Sequence, residues 1–167
     1  MAQWLSGFPR YGLLLAFYTA VLIIISDNPG YAIIEDVPSA DVARDAEFVA
    51  AERLVKERQF AEAIPLLQRV VARDPGNADA YNYLAFSQRK VGLLQEALHN
   101  YSRALDLDPD HIGAREYLGE LYLQLNQDDM AEQQLARLKL LCPLGCEARE
   151  DLARAIAERK RARLPGQ

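Results

Sequence analysis

Apolar residues recur with helical spacing through residues 78–110. In the first half of this stretch Tyr81, Leu84, Ala85 and Val91 follow the spacing of one helix face. In the second half Leu94, Ala97, Leu98, Tyr101, Ala104 and Leu105 follow i, i+3, i+4, i+7. Gly92 divides the two runs and tolerates the positive φ at which a helix closes. Pro109 ends the second run, because it biases Asp108 away from the helical region. The pattern predicts two helices joined by a tight turn. Neither helix can bury its stripe alone, and the hairpin they form still needs neighbours.

The neighbours are copies of the same unit. Pro75, Pro109 and Pro143 are evenly spaced, since 109 − 75 = 34 and 143 − 109 = 34. Ala63, Ala97 and Ala131 keep this period, as do Ala51, Ala85 and Gly119. Leu67, Tyr101 and Leu135 fill one large position, and Ala50, Leu84 and Leu118 another. Turn segments Asp74–Ala78 (Asp-Pro-Gly-Asn-Ala) and Leu107–Asp110 (Leu-Asp-Pro-Asp) close two of the units. Small residues at helix crossings, a closing proline and this period resemble the tetratricopeptide repeat family. The resemblance covers about residues 44–145. It implies an all-α fold, a right-handed superhelical stack of three hairpins at about 44–77, 78–111 and 112–145, followed by a capping helix and basic tail over 146–167.

The flanks differ from the repeats. Residues 1–32 contain an apolar run, Leu13–Ile25, interrupted only by Thr19 and preceded by Arg10. A short apolar core behind one cation resembles a secretory signal peptide, with Gly30-Tyr31-Ala32 as the cleavage site. The alternative is an uncleaved membrane anchor through residues 11–25, short of the roughly 20 residues a comfortable span needs. Both readings place the repeats outside the cytoplasm, in a bacterial periplasm. Residues 33–40 read as a linker. Asp41 is placed to cap a helix starting at Val42 and running to about Arg58. Pro65 requires the next helix to start near Ala61 or Glu62, so that the missing amide falls close to the first turn. In the third unit Asn126 takes the turn position of Gly92. A last helix, Glu147 to about Arg161, has a narrow stripe of Leu152, Ala155 and Ile156. With Cys142-Pro143-Leu144-Gly145-Cys146 before it, this ending resembles small exported bacterial tetratricopeptide proteins.

Composition narrows the function. The net charge of −5 makes free nucleic acid an unsuitable partner for the chain, although Arg159, Lys160, Arg161 and Arg163 form a basic tail. The two histidines, His99 and His111, have no second ligand at helical spacing, and no phosphate loop or nucleophile motif occurs, so neither a metal, a cofactor nor an enzymatic activity is expected. Cys142 and Cys146 admit a disulfide, two buried thiols or part of a metal site; in an oxidising compartment the disulfide is the default.

What remains is a surface. The side of each first helix opposite its hairpin partner lines an inner, concave wall. In the first unit this wall carries Phe48, Glu52 and Lys56; in the second, Asn82, Phe86, Arg89 and Lys90; in the third, Glu116 and Glu120. Phe86 reads as an exposed aromatic anchor and Asn82 as a partner for peptide backbone. The resemblance implies a protein or peptide in this groove. Lys56, Asn82, Arg89 and Lys90 suit a carboxylate, but Glu52, Glu116 and Glu120 favour a ligand with basic residues toward the third unit. The alternatives are self-association of copies into a structural assembly and a membrane-anchored assembly factor for an envelope complex.

Overall fold

The computed structural model describes residues 40–163, with side chains from Ala46 onward. The expected leader, most of the linker and the last four residues of the tail lie outside the described residues. Seven helices follow one another: α1 (Ala40–Lys56), α2 (Phe60–Arg73), α3 (Ala78–Lys90), α4 (Leu94–Leu107), α5 (Ile112–Gln124), α6 (Asp128–Leu141) and α7 (Glu147–Arg163). No strand occurs among the described residues. α1/α2, α3/α4 and α5/α6 are the three hairpins, and α7 packs on α5 and α6.

The 34-residue period of the sequence becomes a period of hydrogen bonds. After each first helix one residue takes positive φ: Arg58 at 63°, Gly92 at 87° and Asn126 at 60°. The following amide reaches back over the turn, Gln59 to the Leu54 carbonyl at 2.8 Å, Leu93 to Gln88 at 2.9 Å and Gln127 to Tyr122 at 2.8 Å. These are three copies of the 6→1 bond of a Schellman closure. Gly92 and Asn126 were legible as such residues; Arg58 was not, because an arginine there pays the steric cost of the left-handed region. Helix starts repeat too. Asn77 Oδ1 accepts from the Ala80 amide at 2.8 Å, and one period on His111 Nδ1 accepts from the Ala114 amide at 3.2 Å. His111 therefore caps α5, with its Nε2 3.1 Å from Asp79 Oδ1.

Two boundaries differ from expectation. α1 begins at Ala40, ahead of Asp41, and α2 begins at Phe60, which puts Pro65 beyond the first turn. The proline is tolerated because Ala61 and Pro65 are both exposed, so water can reach the carbonyl that Pro65 leaves without a donor. Val91, expected on the apolar face, is exposed at the end of α3.

Packing follows the repeated small residues. Ala63, Ala97 and Ala131 are fully buried where paired helices cross, and Leu67, Tyr101 and Leu135 fill the volume beside them. Ala51 and Leu84 share one hydrophobic cluster; Ala85 and Leu118 share the other. α7 continues the same register, with Ala148 and Leu152 one period after Ala114 and Leu118. It is the first helix of a fourth unit that has no second helix among the described residues. Leu152 sits on Gly119 so closely that a Cβ there would lie 2.5 Å from Leu152 Cδ2. The basic end of α7 is tied down as well: Arg159 and Arg163 pair with Asp128, and Lys160 Nζ lies 2.7 Å from Glu132 Oε1. The charges of Arg159, Lys160 and Arg163 are therefore answered by α6. Cys142 and Cys146 face one another across the α6–α7 turn, with Cα atoms 5.8 Å apart.

Two predictions follow from the cap. Gly119→Ala should destabilise the chain by about 1–3 kcal/mol in urea unfolding, although alanine is the better helix former. In a Leu152→Ala background the same change should become neutral or stabilising; an equal cost in both backgrounds would mean that Leu152 is not the obstacle. Cys142 and Cys146 are placed for a disulfide, since bridged Cα atoms stand roughly 4.4–6.8 Å apart. Alkylation of non-reduced natural protein should block neither cysteine, and mass spectrometry showing two blocked thiols would refute the bridge.

Candidate partner-binding surface

The first helices α1, α3, α5 and α7 stand side by side and form the inner wall. Their residues do not all face outward as expected. Phe48 is half-buried, its ring edge-on to Tyr83 with centroids 5.8 Å apart. Burial, and then the Glu52 carboxylate beside it, push the Tyr83 hydroxyl up to about 12. Lys56 is exposed at the end of α1.

Phe86 is no bare anchor. It lies between Phe60 and Tyr117, with centroids 5.7 Å and 4.7 Å away, and packs against both hydrophobic clusters. The Lys90 ammonium covers the ring at 5.0 Å, and burial holds its pKa below the ordinary lysine range. Arg89 is not a surface residue either: it is 5 % exposed, and its guanidinium meets Glu120 Oε2 at 2.6 Å. A charge enters this junction only because the next unit supplies the opposite one. The spacing was readable, since 120 − 89 = 31 is one period less about one helical turn. Glu120 is thereby an internal partner of Arg89.

Asn82 is also buried, at 6 % exposure. Its Oδ1 has no hydrogen-bond partner among the described residues, so it does not bond the next turn of its own helix. Its amide is turned toward Gly113, where a Cβ would stand 3.6 Å from Nδ2. Gly113 in turn lines a cleft of about 380 Å³ between α5 and α7, with Ile112, Glu116, Tyr117, Glu147 and Asp151. Glu116 is half-buried there. Its carboxyl is pushed up to about 7, first by burial and then by the negative charges of Glu120, Asp151 and Glu147; Arg89 opposes them.

The comparisons with known proteins agree with this geometry. Two family models described as tetratricopeptide repeat match residues 88–141 and 66–99. Residues 66–141 belong to the tetratricopeptide repeat family. Protein FlbA of Caulobacter vibrioides is 28% identical over 127 residues, which is 76% of this chain but 21% of FlbA. The chain thus spans about a fifth of that relative. Among solved structures, the TPR2B domain of yeast Sti1 in its pHsp70 complex superposes with a TM-score of 0.65 at 16% identity, covering 72% of this chain and 98% of that one. PcrH in complex with the chaperone-binding region of PopD gives 0.64 at 20% identity, covering 73% and 92%. At these identities the likeness is one of fold.

Within the tetratricopeptide stack the wall divides in two. Phe48, Phe86, Arg89 and Glu120 hold units together, whereas Lys56 and Lys90 are exposed, Glu116 is half-buried and Asn82 is buried with its Oδ1 unpartnered. Sequence reasoning left out the contribution of α7, because it treated that helix as a cap. Counting one further period from Gly113 and Tyr117 reaches Glu147 and Asp151, the residues that close the acidic cleft.

A pH dependence follows from Glu116. Its folded-state pKa lies above its ordinary value, so the folded chain holds this proton more tightly than the unfolded chain. Its contribution to stability is therefore present at low pH and lost as pH rises from about 4.5 to about 7. Across that window the melting temperature of Glu116→Gln should gain on the wild type. Parallel curves for the two proteins would rule out the repulsion inferred at this carboxyl.

Proposed function

We propose that the protein is a non-catalytic interaction scaffold that holds a peptide or helix of a protein partner along its inner wall. The observation that carries this reading is the orphaned Oδ1 of Asn82. Buried polar atoms in folded proteins are almost always hydrogen-bonded, and an unsatisfied one costs about 1–3 kcal/mol. A donor from a bound segment removes that cost once the Asn82 side chain turns to meet it. Tetratricopeptide folds in complex with protein segments, Sti1 with pHsp70 and PcrH with PopD, support the same reading. The apolar run Leu13–Ile25 supports placing the scaffold outside the cytoplasm, either released or held at the membrane. The assignment of Phe86 changes with its packing: it supports the wall, so Phe86→Ala should lower stability as well as binding.

The test uses a photo-crosslinking amino acid in the native host, placed at Lys90 on the wall and, separately, at His99 on α4. Both positions are exposed, so the substitutions should leave the fold intact. Adducts to a partner protein are expected from position 90 and not from position 99. Adducts from position 99 alone would exclude the wall, and adducts between copies of this chain would favour self-assembly.

A further inference from the structure

We infer that the cleft between α5 and α7 is a specificity pocket for one basic side chain, arginine or lysine, of the bound segment. This rests on the reading of the inner wall as a binding surface and names the chemistry of its C-terminal end.

Three observations converge. The first is the lining. Glu116, Glu147 and Asp151 bring carboxylates to one cleft of about 380 Å³, a volume suited to a long side chain. The second is Asn82. It is more than nine-tenths buried, its amide is turned toward Gly113 of the lining, and its Oδ1 lacks a donor. The side-chain acceptors lining the cleft thus include three carboxylates, and Asn82 stands beside Gly113 at its edge. A guanidinium offers five N–H donors and no acceptor, and an ammonium three. The third is the wall itself, where the Tyr117 ring borders the cleft and offers a face on which a cation can rest. A side chain at position 113 would project toward Asn82, and glycine leaves that space free at the edge of the cleft.

The charges already present do not fill this role. Among the described residues no cation pairs with Glu116 or Glu147. Arg89, from α3, is committed to Glu120. Arg154 pairs with Asp151 as an exposed i, i+3 contact, which an incoming cation can displace. The groups facing Glu116 are Glu120 on its own helix, Glu147 and Asp151 from α7 and Arg89 from α3. Burial first, and then negative neighbours that outnumber the positive one, hold the Glu116 proton until about pH 7. Entry of a cation stabilises the ionised carboxylate and releases that proton. Capture of a basic segment should therefore tighten as pH rises through neutrality.

The experiment pans a phage-displayed random peptide library against the immobilised full chain and, in parallel, against the Glu116→Gln/Asp151→Asn double variant, with circular dichroism confirming that both are helical. Peptides enriched on the wild type should share arginine or lysine at one position. Replacing that residue by citrulline or norleucine in the synthetic peptide should weaken binding at least tenfold, and the double variant should lose the preference. Enriched peptides with no basic preference, cross-linking to position 90, would overturn the pocket and leave the wall standing as a binding surface. A basic preference that persists undiminished in the double variant would also overturn it. Absence of any enriched peptide would overturn both readings.

Discussion

Everything in this fold depends on how closely two helices can approach at a residue with little or no side chain. Ala63, Ala97 and Ala131 let each hairpin close, and Ala51, Ala85 and Gly119 let the next unit settle against it. The gain is close packing of the large residues beside them, Leu67, Tyr101, Leu118 and Leu152, which are removed from water. A single added methyl at such a crossing has nowhere to go, and neighbouring side chains must shift. Because each unit touches only its neighbours, the constraint must be met afresh at every junction. That is why it is written into the chain with a fixed period.

The inner wall shows how a repeat fold mixes support with recognition. Four of its polar or aromatic residues are consumed by the junctions. The Arg89–Glu120 pair, with Phe86 and Tyr117 around it, joins the second and third units through a desolvated charge contact. Such a pair adds little net stability over an apolar contact, but losing one partner leaves a buried charge uncompensated. It therefore fixes which faces meet more than how strongly they meet. Beyond it the wall turns acidic, with Glu116, Glu147 and Asp151 around one cleft.

How much of this was legible in the sequence can be seen residue by residue. The hairpins, their turns at Gly92 and Asn126 and the small residues at the crossings all repeat in register, and periodicity reports them directly. Arg58 broke the turn pattern by identity while keeping it by geometry, so residue preference missed it. Pro65 misled in the opposite way, since solvent access rather than helix position decides its cost. Exposure on the wall was the least readable quantity. Asn82 and Arg89 sit at helix positions that face away from their own hairpin partner, and a single-helix projection calls them exposed. They are buried because the neighbouring unit covers them, a contact between residues about one period apart. The acidic cleft was invisible for the same reason: half of it comes from α7.

α7 carries one more implication. Its Ala153 lies one period after Gly119, at the seat that the preceding units use to receive the next leucine, and this seat is half-buried rather than filled. The geometry of the array therefore does not stop where the packed hairpins do. Ala153 packs at the edge of the core cluster, while charge is spread over the rest of α7. Duplication of a 34-residue cassette at this point would land in register and lengthen the wall by one unit, provided that the outer face of α7 exchanged its charges for apolar residues. Surface chemistry on one helix thus governs whether a further unit could pack at this seat, and small changes there can alter the reach of the wall.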